Sequence, residues 1–250
     1  MNGKMIVFDG NSILNRAYYG VRPLNTKDGF PTNALFGFVN ILQKNLAPGY
    51  DYAAIAYDLR EKTFRHIRCD TYKATRRPMP EDLAKQLPVS KEIAELMGLH
   101  VLTAAGFEAD DILGTLSRIA KENDVECVIV TGDRDSYQLV CDGVTVHLAA
   151  NNETRIIDTK AIDEMYGLTP SQLIDLKAVM GDSSDNISGV PGIGEKGALE
   201  LMHQYGSLDG IYAHIDEIKG GKKTKLENGR DDAYMSRFLA EISKSAPVPE

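Results

Sequence analysis

The acidic residues in GFEADDILGTL (106–116) are the residues of the chain best suited to chemistry. Glu108, Asp110 and Asp111 fall within four positions, directly ahead of apolar residues that repeat with the period of a helix. Carboxylates in the first helical turn interact favourably with the helix dipole, by some tenths of a kcal/mol each. An acidic helix cap is the simplest interpretation of these three residues alone. A binding site requires further acids that converge on them.

Further acids follow three short apolar runs. Asp9 follows MIVF, Asp58 follows AAIAY, and Asp133 and Asp135 follow CVIVTG. Runs of this kind, each followed by a helical pattern, are typical of buried parallel strands in an α/β unit. Ligand sites in open α/β sheets lie beyond the carboxyl ends of the strands. We therefore expect acids from three strands to share one edge of the sheet.

Electrostatic repulsion decides what such a cluster needs. Two carboxylates about 4 Å apart repel by roughly 4 kcal/mol at an effective dielectric constant near 20. Several such pairs would rival the stability of a whole domain, about 5–15 kcal/mol. Protons or cations must therefore accompany the cluster. Because the ligands are all oxygen, the cation is expected to be hard, Mg²⁺ or Mn²⁺.

The elements that position these acids are those of an α/β chain. Strands alternate with helices in the first part of the chain, and from about residue 159 the pattern is helical throughout. This predicts an α/β core with a doubly wound, mainly parallel sheet over 1–165, followed by a helical region over 166–250. A hydrophobic content of 43% in 250 residues suffices for one large core or a core with a smaller domain.

Composition also bears on the cellular location. No stretch approaches 18 uninterrupted apolar residues, and the opening MNGKM leads directly into a strand, so we expect neither a membrane span nor a signal peptide. The three cysteines are odd in number and lack metal-ligand spacing, which favours a reducing, cytoplasmic location.

The net charge of −8 conceals a basic segment. Without the nine acids of the proposed site, which include Asp182 and Asp185, basic and acidic residues nearly balance. Residues 60–91 hold nine Lys or Arg against four acids. The weakly patterned stretch 61–80, the arch segment below, is therefore a candidate surface for a polyanion.

A glycine-rich turn in the helical region is a second candidate site. Gly192, Gly194 and Gly197 match G-x-G-x-x-G, but a helical pattern precedes them and no strand follows, which excludes a dinucleotide fold. A helix–turn–helix over about 170–205 remains, and its backbone N–H groups could bind a DNA phosphate. A tight corner between two helices is the structural alternative. Asp182 and Asp185, just before the turn, could cap it or complete a two-metal site.

Together these motifs resemble the 5′-nuclease domain at the N-terminus of bacterial DNA polymerase I, in the flap endonuclease superfamily. The resemblance covers essentially the whole chain. The end SAPVPE resembles the point where such domains continue into a polymerase, so the chain is interpreted either as a fragment with a linked polymerase domain or as a short stand-alone relative. The residues that carry the resemblance are FDGNSILNRAYY (8–19), YDLREKTFRHIRCDTYKATRRPMP (57–80), GFEADDILGTL (106–116), TGDRDSYQL (131–139) and MGDSSDNISGVPGIGEKGA (180–198).

The resemblance implies a 5′–3′ exonuclease and flap endonuclease that acts on DNA with a 5′ flap or a nick, in replication and repair. It implies two divalent ions, Mg²⁺ or Mn²⁺, which activate water and stabilise the leaving oxygen. The implied ligands of the first ion are Asp58, Glu108 and Asp110, with Asp9 and Asp111 nearby, and those of the second are Asp133, Asp135 and Asp185, supported by Asp182.

The resemblance also implies roles for basic and aromatic residues. Lys73 and Arg76 are expected to meet the scissile phosphate, and Arg77 and Tyr72 to bind DNA beside them. The turn from Gly192 through Gly194 to Lys196 is expected to grip the duplex and to hold a K⁺ ion, as it can in relatives.

One departure from the family pattern concerns base stacking. Some relatives have an aromatic residue where this chain has Asn15, so stacking would fall to Tyr18 or Tyr19, or be absent. Two other functions stay open: a non-catalytic DNA-junction binder, and an RNA-cleaving relative with the same acidic core. A haloacid-dehalogenase-type phosphatase is disfavoured, because Asn11 stands where that family needs a second Asp.

Overall fold

The computed structural model describes residues 2–149 and 154–249, and these residues form two compact units. The first unit is built on a sheet, and the second is helical. The first comprises Met1–Glu61, Pro78–Asp158 and Ile242–Glu250, and the second Lys62–Arg77 and Thr159–Glu241.

The sheet of the first unit has the predicted doubly wound arrangement. The strands are β1 (Lys4–Asp9), β2 (Tyr52–Ala56), β3 (His100–Leu102), β4 (Glu126–Thr131), β5 (Val144–Ala149) and β6 (Thr154–Ile157). Their order in the sheet is β3-β2-β1-β4-β5-β6, parallel except for β6, which runs antiparallel to β5. Residues 150–153, the Asn-rich segment between β5 and β6, lie outside the described residues.

Helices flank the sheet in the first unit and make up most of the second. No helix in the described part of the chain has the length and apolar character needed to span a membrane. In chain order they are α1 (Gly10–Gly20), α2 (Asn33–Leu46), α3 (Phe64–Arg68), α4 (Glu81–Leu96), α5 (Ala109–Glu122), α6 (Thr159–Tyr166), α7 (Gln172–Met180), α8 (Glu195–Tyr205), α9 (Leu208–Ala213), α10 (Gly221–Asn228) and α11 (Arg230–Ala240), with 3-10 turns at Arg134–Leu139 and Ile215–Glu217.

Each unit has its own apolar core, as alternating strand and helix patterns require. In the first unit Phe8 and Ile55 on neighbouring strands are fully buried against α1 and α2. In the second, Val179 on α7, Ala198 on α8 and Leu226 on α10 are fully buried together. The strands of the first core therefore hold the edge on which the predicted acids lie.

Neither compact unit is one continuous run of the chain, and the predicted boundary at 165/166 stays a prediction. Residues 62–77 of the arch segment belong to the helical unit, because buried Arg65 donates to the carbonyls of Leu239 and Glu241 at the end of α11. Residues 242–250 return to the first unit, where the backbone N–H of Ser243 donates to Asp111. Both discontinuities depend on long-range hydrogen bonds that local patterns do not encode.

Candidate functional site

Three strands end in Asp on one edge of the first unit's sheet, as predicted. Asp9 closes β1, while Asp58 and Asp133 each lie two residues beyond β2 and β4. Because β1 pairs in parallel with both of those strands, all three acids follow the same edge.

Asp9 lies at the centre of this edge and is buried. Its Oδ1 accepts from the backbone N–H of Ser12 at 2.9 Å, and its Oδ2 accepts from the Thr131 hydroxyl at 2.8 Å. Burial, together with the negative charges of Asp58 and Asp133, raises the pKa of Asp9 to about 7, against the lowering effect of these hydrogen bonds. The three carboxylates are therefore close enough to repel one another.

Backbone groups hold Asp58 in place. Its N–H donates to the Asn11 side chain at 2.9 Å, and its Oδ1 accepts from the N–H of Ala109 at 2.8 Å. Since Ala109 is the first residue of α5, this bond brings the predicted acidic helix to the carboxyl end of β2.

Asp133 starts the 3-10 turn that carries Asp135. Its backbone N–H donates to the Thr131 hydroxyl at 3.0 Å, and its Oδ1 accepts from the N–H of Asp135 at 2.9 Å. Thr131 thus contacts both Asp9 and Asp133, and it fixes their spacing.

The acids of α5 serve as the predicted helix cap as well. Glu108 and Asp111 form a capping box, in which each carboxylate accepts from the backbone N–H of the other residue. Asp111 is fully buried, and its second oxygen accepts from Ser243. Both oxygens of Asp111 therefore accept hydrogen bonds from the backbone of the fold, whereas Asp110 in the same turn is half-buried.

The edge fits a hard cation in charge and donor type. Carboxylate oxygens converge there. Burial favours the protonated form of Asp9, and a bound cation could take the place of that proton. Within residues 2–149 and 154–249, however, no three carboxylate, imidazole or thiolate groups are close enough to chelate one ion.

Asp182, in the second unit, has an opposite environment. The Lys177 ammonium lies 2.7 Å from one oxygen, and the N–H and hydroxyl of Ser184 donate to the other. Partial burial raises its pKa, but these hydrogen bonds and the Lys177 charge outweigh that effect and lower it to about 2. A backbone bridge to Ile187 closes the surrounding turn.

Asp185, in the same turn, is bound by the arch segment. The Arg76 guanidinium donates to Oδ1 through Nε at 3.1 Å and through Nη2, and the Lys73 ammonium lies 3.9 Å from Oδ2. The backbone N–H of Lys73 also donates to the Asp185 carbonyl at 2.9 Å. Two predicted phosphate-binding residues therefore pair with a predicted metal ligand.

Other residues of the arch segment divide between packing and exposure. Lys73 has a φ of 56°, a strained conformation for a residue with a side chain. Tyr72 is only 3% exposed and packs on Ile187 and Leu239, so its ring is part of the helical unit's packing, and its contact with DNA stays a prediction. Arg77 is exposed, as a DNA contact requires.

The glycine-rich turn connects α7 to α8 as predicted. Gly192 has a φ of 81°, a conformation that favours glycine, and its carbonyl accepts from the Lys225 ammonium at 3.0 Å. Gly194 is the N-cap of α8, has an ordinary φ of −91° and faces open space. Lys196 is exposed in the first turn of α8. The turn therefore presents bare backbone and a helix N-terminus to solvent.

Comparison with known proteins agrees with this arrangement. The protein-family model described as the 5′-3′ exonuclease N-terminal resolvase-like domain matches residues 4–167. The model described as the 5′-3′ exonuclease C-terminal SAM fold matches residues 168–250. The chain belongs to the 5′–3′ exonuclease family.

Curated relatives of this 5′–3′ exonuclease chain include bacterial DNA polymerases I. The chain is 40% identical to DNA polymerase I of Caldicellulosiruptor bescii and 39% identical to that of Bacillus subtilis, over 98% of its own length in each case. The matched regions make up 29% and 28% of those proteins. The chain thus spans less than a third of the length of these relatives.

Solved structures share the fold. A zinc-bound T5 5′-exonuclease superposes with a TM-score of 0.79 at 21% identity, covering 96% of this chain and 89% of that one. The catalytic core of Rad2 in complex with a DNA substrate gives 0.60 at 18% identity, covering 99% of this chain and 83% of that one. At these identities the likeness concerns the fold alone.

The predicted stacking residues of this exonuclease-family chain lie on α1. Tyr19 is 73% exposed and meets Tyr18 edge to face, with ring centroids 5.0 Å apart. Tyr18 is partly buried against the core, so Tyr19 is the better placed of the two to stack on a base. The Asn15 amide donates to the Asn11 carbonyl within the same helix.

Three residues that position the acids had no role predicted from the sequence. Asn11 accepts from Asp58, Thr131 donates to Asp9, and the Ser12 hydroxyl accepts from the N–H of Gly132. Each lies within three residues of a strand-end Asp. Polar residues at such positions are a signal that could have found them.

Proposed function

We propose that the chain is a metal-dependent, structure-specific 5′ nuclease that hydrolyses DNA phosphodiesters near 5′-flap junctions, as a 5′–3′ exonuclease and flap endonuclease. The observation that carries this proposal is the convergence of Asp9, Asp58 and Asp133 on one sheet edge, with the pKa of Asp9 raised to about 7. Family membership supports it, as do the names of relatives: DNA polymerases I, a T5 5′-exonuclease and Rad2 with DNA.

The acids of the first unit divide into two proposed ligand sets. Asp58, Glu108 and Asp110 would hold one Mg²⁺ ion with Asp9 beside them, and Asp133 and Asp135 would bind a second, with Mn²⁺ as an alternative metal. When bound, such ions lower the pKa of water and stabilise the departing oxygen. The contributions of Asp182 and Asp185 to the second ion involve residues of the other unit and stay a prediction.

Lys73 and Arg76 are proposed to bind the phosphate that is cut. Both cations rest on Asp185 in the structure, so a phosphate must compete with that carboxylate. Once Arg76 turns to a phosphate, Asp185 loses its neutralising partner and attracts a cation more strongly. Phosphate binding and cation binding in the helical unit would therefore favour one another. Fixed positive charge at the reacting phosphate stabilises the charge that develops there.

The glycine-rich turn is proposed to bind the duplex backbone whatever its sequence. Its N–H groups and the α8 dipole suit a phosphate. Gly194→Val should not strain the turn, because the position is open and has an ordinary φ. The added side chain should keep a phosphate away from the backbone and so weaken binding of all duplex sequences by a few-fold. Each lost phosphate contact should lower the slope of log K against log salt by about 0.9. Gly221→Val, at an open position that starts α10, is the matched control.

A labelled 5′-flap substrate tests the proposed activity. With Mg²⁺ we expect cleavage near the junction, and with EDTA none. An RNA flap of the same shape separates a DNA nuclease from an RNA-cleaving relative. Tight flap binding without Mg²⁺-dependent cleavage would leave a junction-binding protein and overturn the proposal. A polymerase linked to this chain in the same polypeptide stays a prediction.

A further inference from the structure

Lys225 on α10 lies directly against the glycine-rich turn. Its ammonium donates to the Gly192 carbonyl at 3.0 Å. A Cβ added to Gly192 would come within 3.0 Å of Lys225 Cε and 3.2 Å of Nζ, so the lysine stem runs close beside the Gly192 Cα. Glycine at 192 thus serves both the left-handed backbone, with its φ of 81°, and the approach of this side chain.

Packing of α10 fixes the position of Lys225. Leu226, the next residue, is fully buried, and its carbonyl accepts from the Tyr212 hydroxyl at 3.0 Å. One turn further, a Cβ on Gly229 would lie 3.0 Å from Cδ of Pro191, which shows close contact between the end of α10 and the turn. The Lys225 ammonium is therefore delivered to the turn by the fold.

The charge of Lys225 differs in its environment from that of the other lysines of the helix. Lys222 pairs with Glu200 at 2.9 Å and Lys223 with Asp216 at 2.7 Å. Among the described residues Lys225 has no carboxylate partner and binds a carbonyl instead. A carbonyl does not neutralise the ammonium, and two of its three N–H donors remain for other acceptors. The turn therefore carries a full positive charge at an exposed position.

We propose that Lys225 is the built-in cation of the duplex clamp, bridging the Gly192 carbonyl to a DNA phosphate, and that it replaces the K⁺ ion predicted for this turn. A K⁺ ion bound to the same carbonyl would lie beside a fixed ammonium, and like charges at that distance repel. The turn therefore does not fit K⁺. This inference rests on the proposed DNA-binding function and makes Lys225 a positioning and phosphate-binding residue.

Duplex DNA binding at constant ionic strength, in EDTA, tests the inference. Wild-type protein should have the same Kd in KCl and in tetramethylammonium chloride. Lys225→Met, which keeps most of the stem, should weaken binding about 10-fold and lower the salt slope by about 0.9. Lys225→Arg should retain most of the affinity. Lys222→Met is the matched control, since it removes one charge from the same helix, and it should change Kd less than two-fold.

Each result decides the point. Wild-type binding at least five-fold tighter in KCl than in tetramethylammonium chloride would show that the turn uses K⁺ and would overturn the inference, as would equal Kd values for Lys225→Met and Lys222→Met. The wild-type comparison holds even if Lys225→Met does not fold. If wild-type protein bound no duplex in any salt, the proposed clamp itself would fail. Intact binding without a Lys225 effect overturns only the inference.

Discussion

Asp9 in the first unit and Asp182 in the second are the same residue type, but their pKa values are shifted in opposite directions. Burial and two neighbouring carboxylates raise the pKa of Asp9 to about 7. For Asp182 partial burial acts in the same direction, but Lys177 and Ser184 reverse it and lower the pKa to about 2. The fold pairs Asp182 with the Lys177 ammonium, whereas Asp9 is buried beside two other carboxylates.

This contrast separates acids that stabilise the fold from acids kept for a ligand. An ion-paired carboxylate contributes to stability when it is charged, whereas crowded carboxylates cost stability until a cation or proton arrives. Asp185 belongs with Asp182, because Arg76 and Lys73 hold it. The acids at the first unit's edge are therefore expected to cost stability until a cation or a proton binds.

The largest expected effect is that of Asp133→Ala. If Asp133 binds a metal, the single-turnover rate of flap cleavage in Mg²⁺ should fall at least 1,000-fold, about 4 kcal/mol, while flap binding stays within a few-fold. The stability of the metal-free protein should change by no more than about 1 kcal/mol, because the lost cap on the Asp135 N–H is offset by the removal of one like charge near Asp9. Single-turnover kinetics and urea unfolding in EDTA measure the two effects.

Asp142→Ala is the matched control, since Asp142 is exposed in the turn before β5. It should leave both the rate and the metal-free stability nearly unchanged. An Asp133→Ala protein that kept more than a tenth of the wild-type rate would contradict the role of Asp133 as a ligand.

Stability against pH tests the environment of Asp9. The folded pKa, about 7, lies above the unfolded value of 3.8, so between these pH values the folded state binds more protons. The free energy of unfolding of the metal-free protein should therefore fall as pH rises from about 4 to 7, by up to about 4 kcal/mol from this group. Asp9→Asn should remove that part of the slope. Identical pH profiles for the two proteins in EDTA would refute the raised pKa of Asp9 that burial and the neighbouring carboxylates produce.

Lys73→Ala tests whether the arch segment acts in chemistry as well as in neutralising Asp185. Loss of the ammonium should lower the single-turnover rate on saturating flap DNA at least 100-fold, about 2.7 kcal/mol. Lysine and alanine are about equally strained at a φ of 56°, because both carry a Cβ, so the substitution should change the stability of the fold little. Arg68→Ala, in an exposed position of the same segment, should mainly raise the dissociation constant. Equal and purely binding effects would reduce the segment to a basic patch.

The sheet edge was predictable because its information is local. Each strand that leads to Asp9, Asp58 or Asp133 is a short apolar run, and parallel strands bring their carboxyl ends together. The capping of α5 by Glu108 was equally local.

The neutralised acids and buried basic residues were not predictable in this way. Arg65 meets carbonyls more than 170 positions away, Arg76 meets an acid 109 positions away, and Lys225 meets Gly192 across 33. A basic stretch in sequence therefore does not reveal which of its charges the fold uses internally. Tyr72 illustrates the same limit, since its burial depends on packing against Leu239.

The smallest expected effect, that of Asp182, completes the contrast. Its folded pKa, about 2, lies below the unfolded value of 3.8, so its stabilising contribution is present above about pH 4 and lost as pH falls towards 2. Asp182→Asn should therefore cost about 1 kcal/mol at neutral pH, because the pair with Lys177 is partly open to solvent and screened. The loss should vanish near pH 2, opposite in sign to the effect of Asp9→Asn. If Asp182→Asn instead stabilised the metal-free protein at pH 7, Asp182 would belong with the crowded acids of the sheet edge, and its role would be to bind a cation.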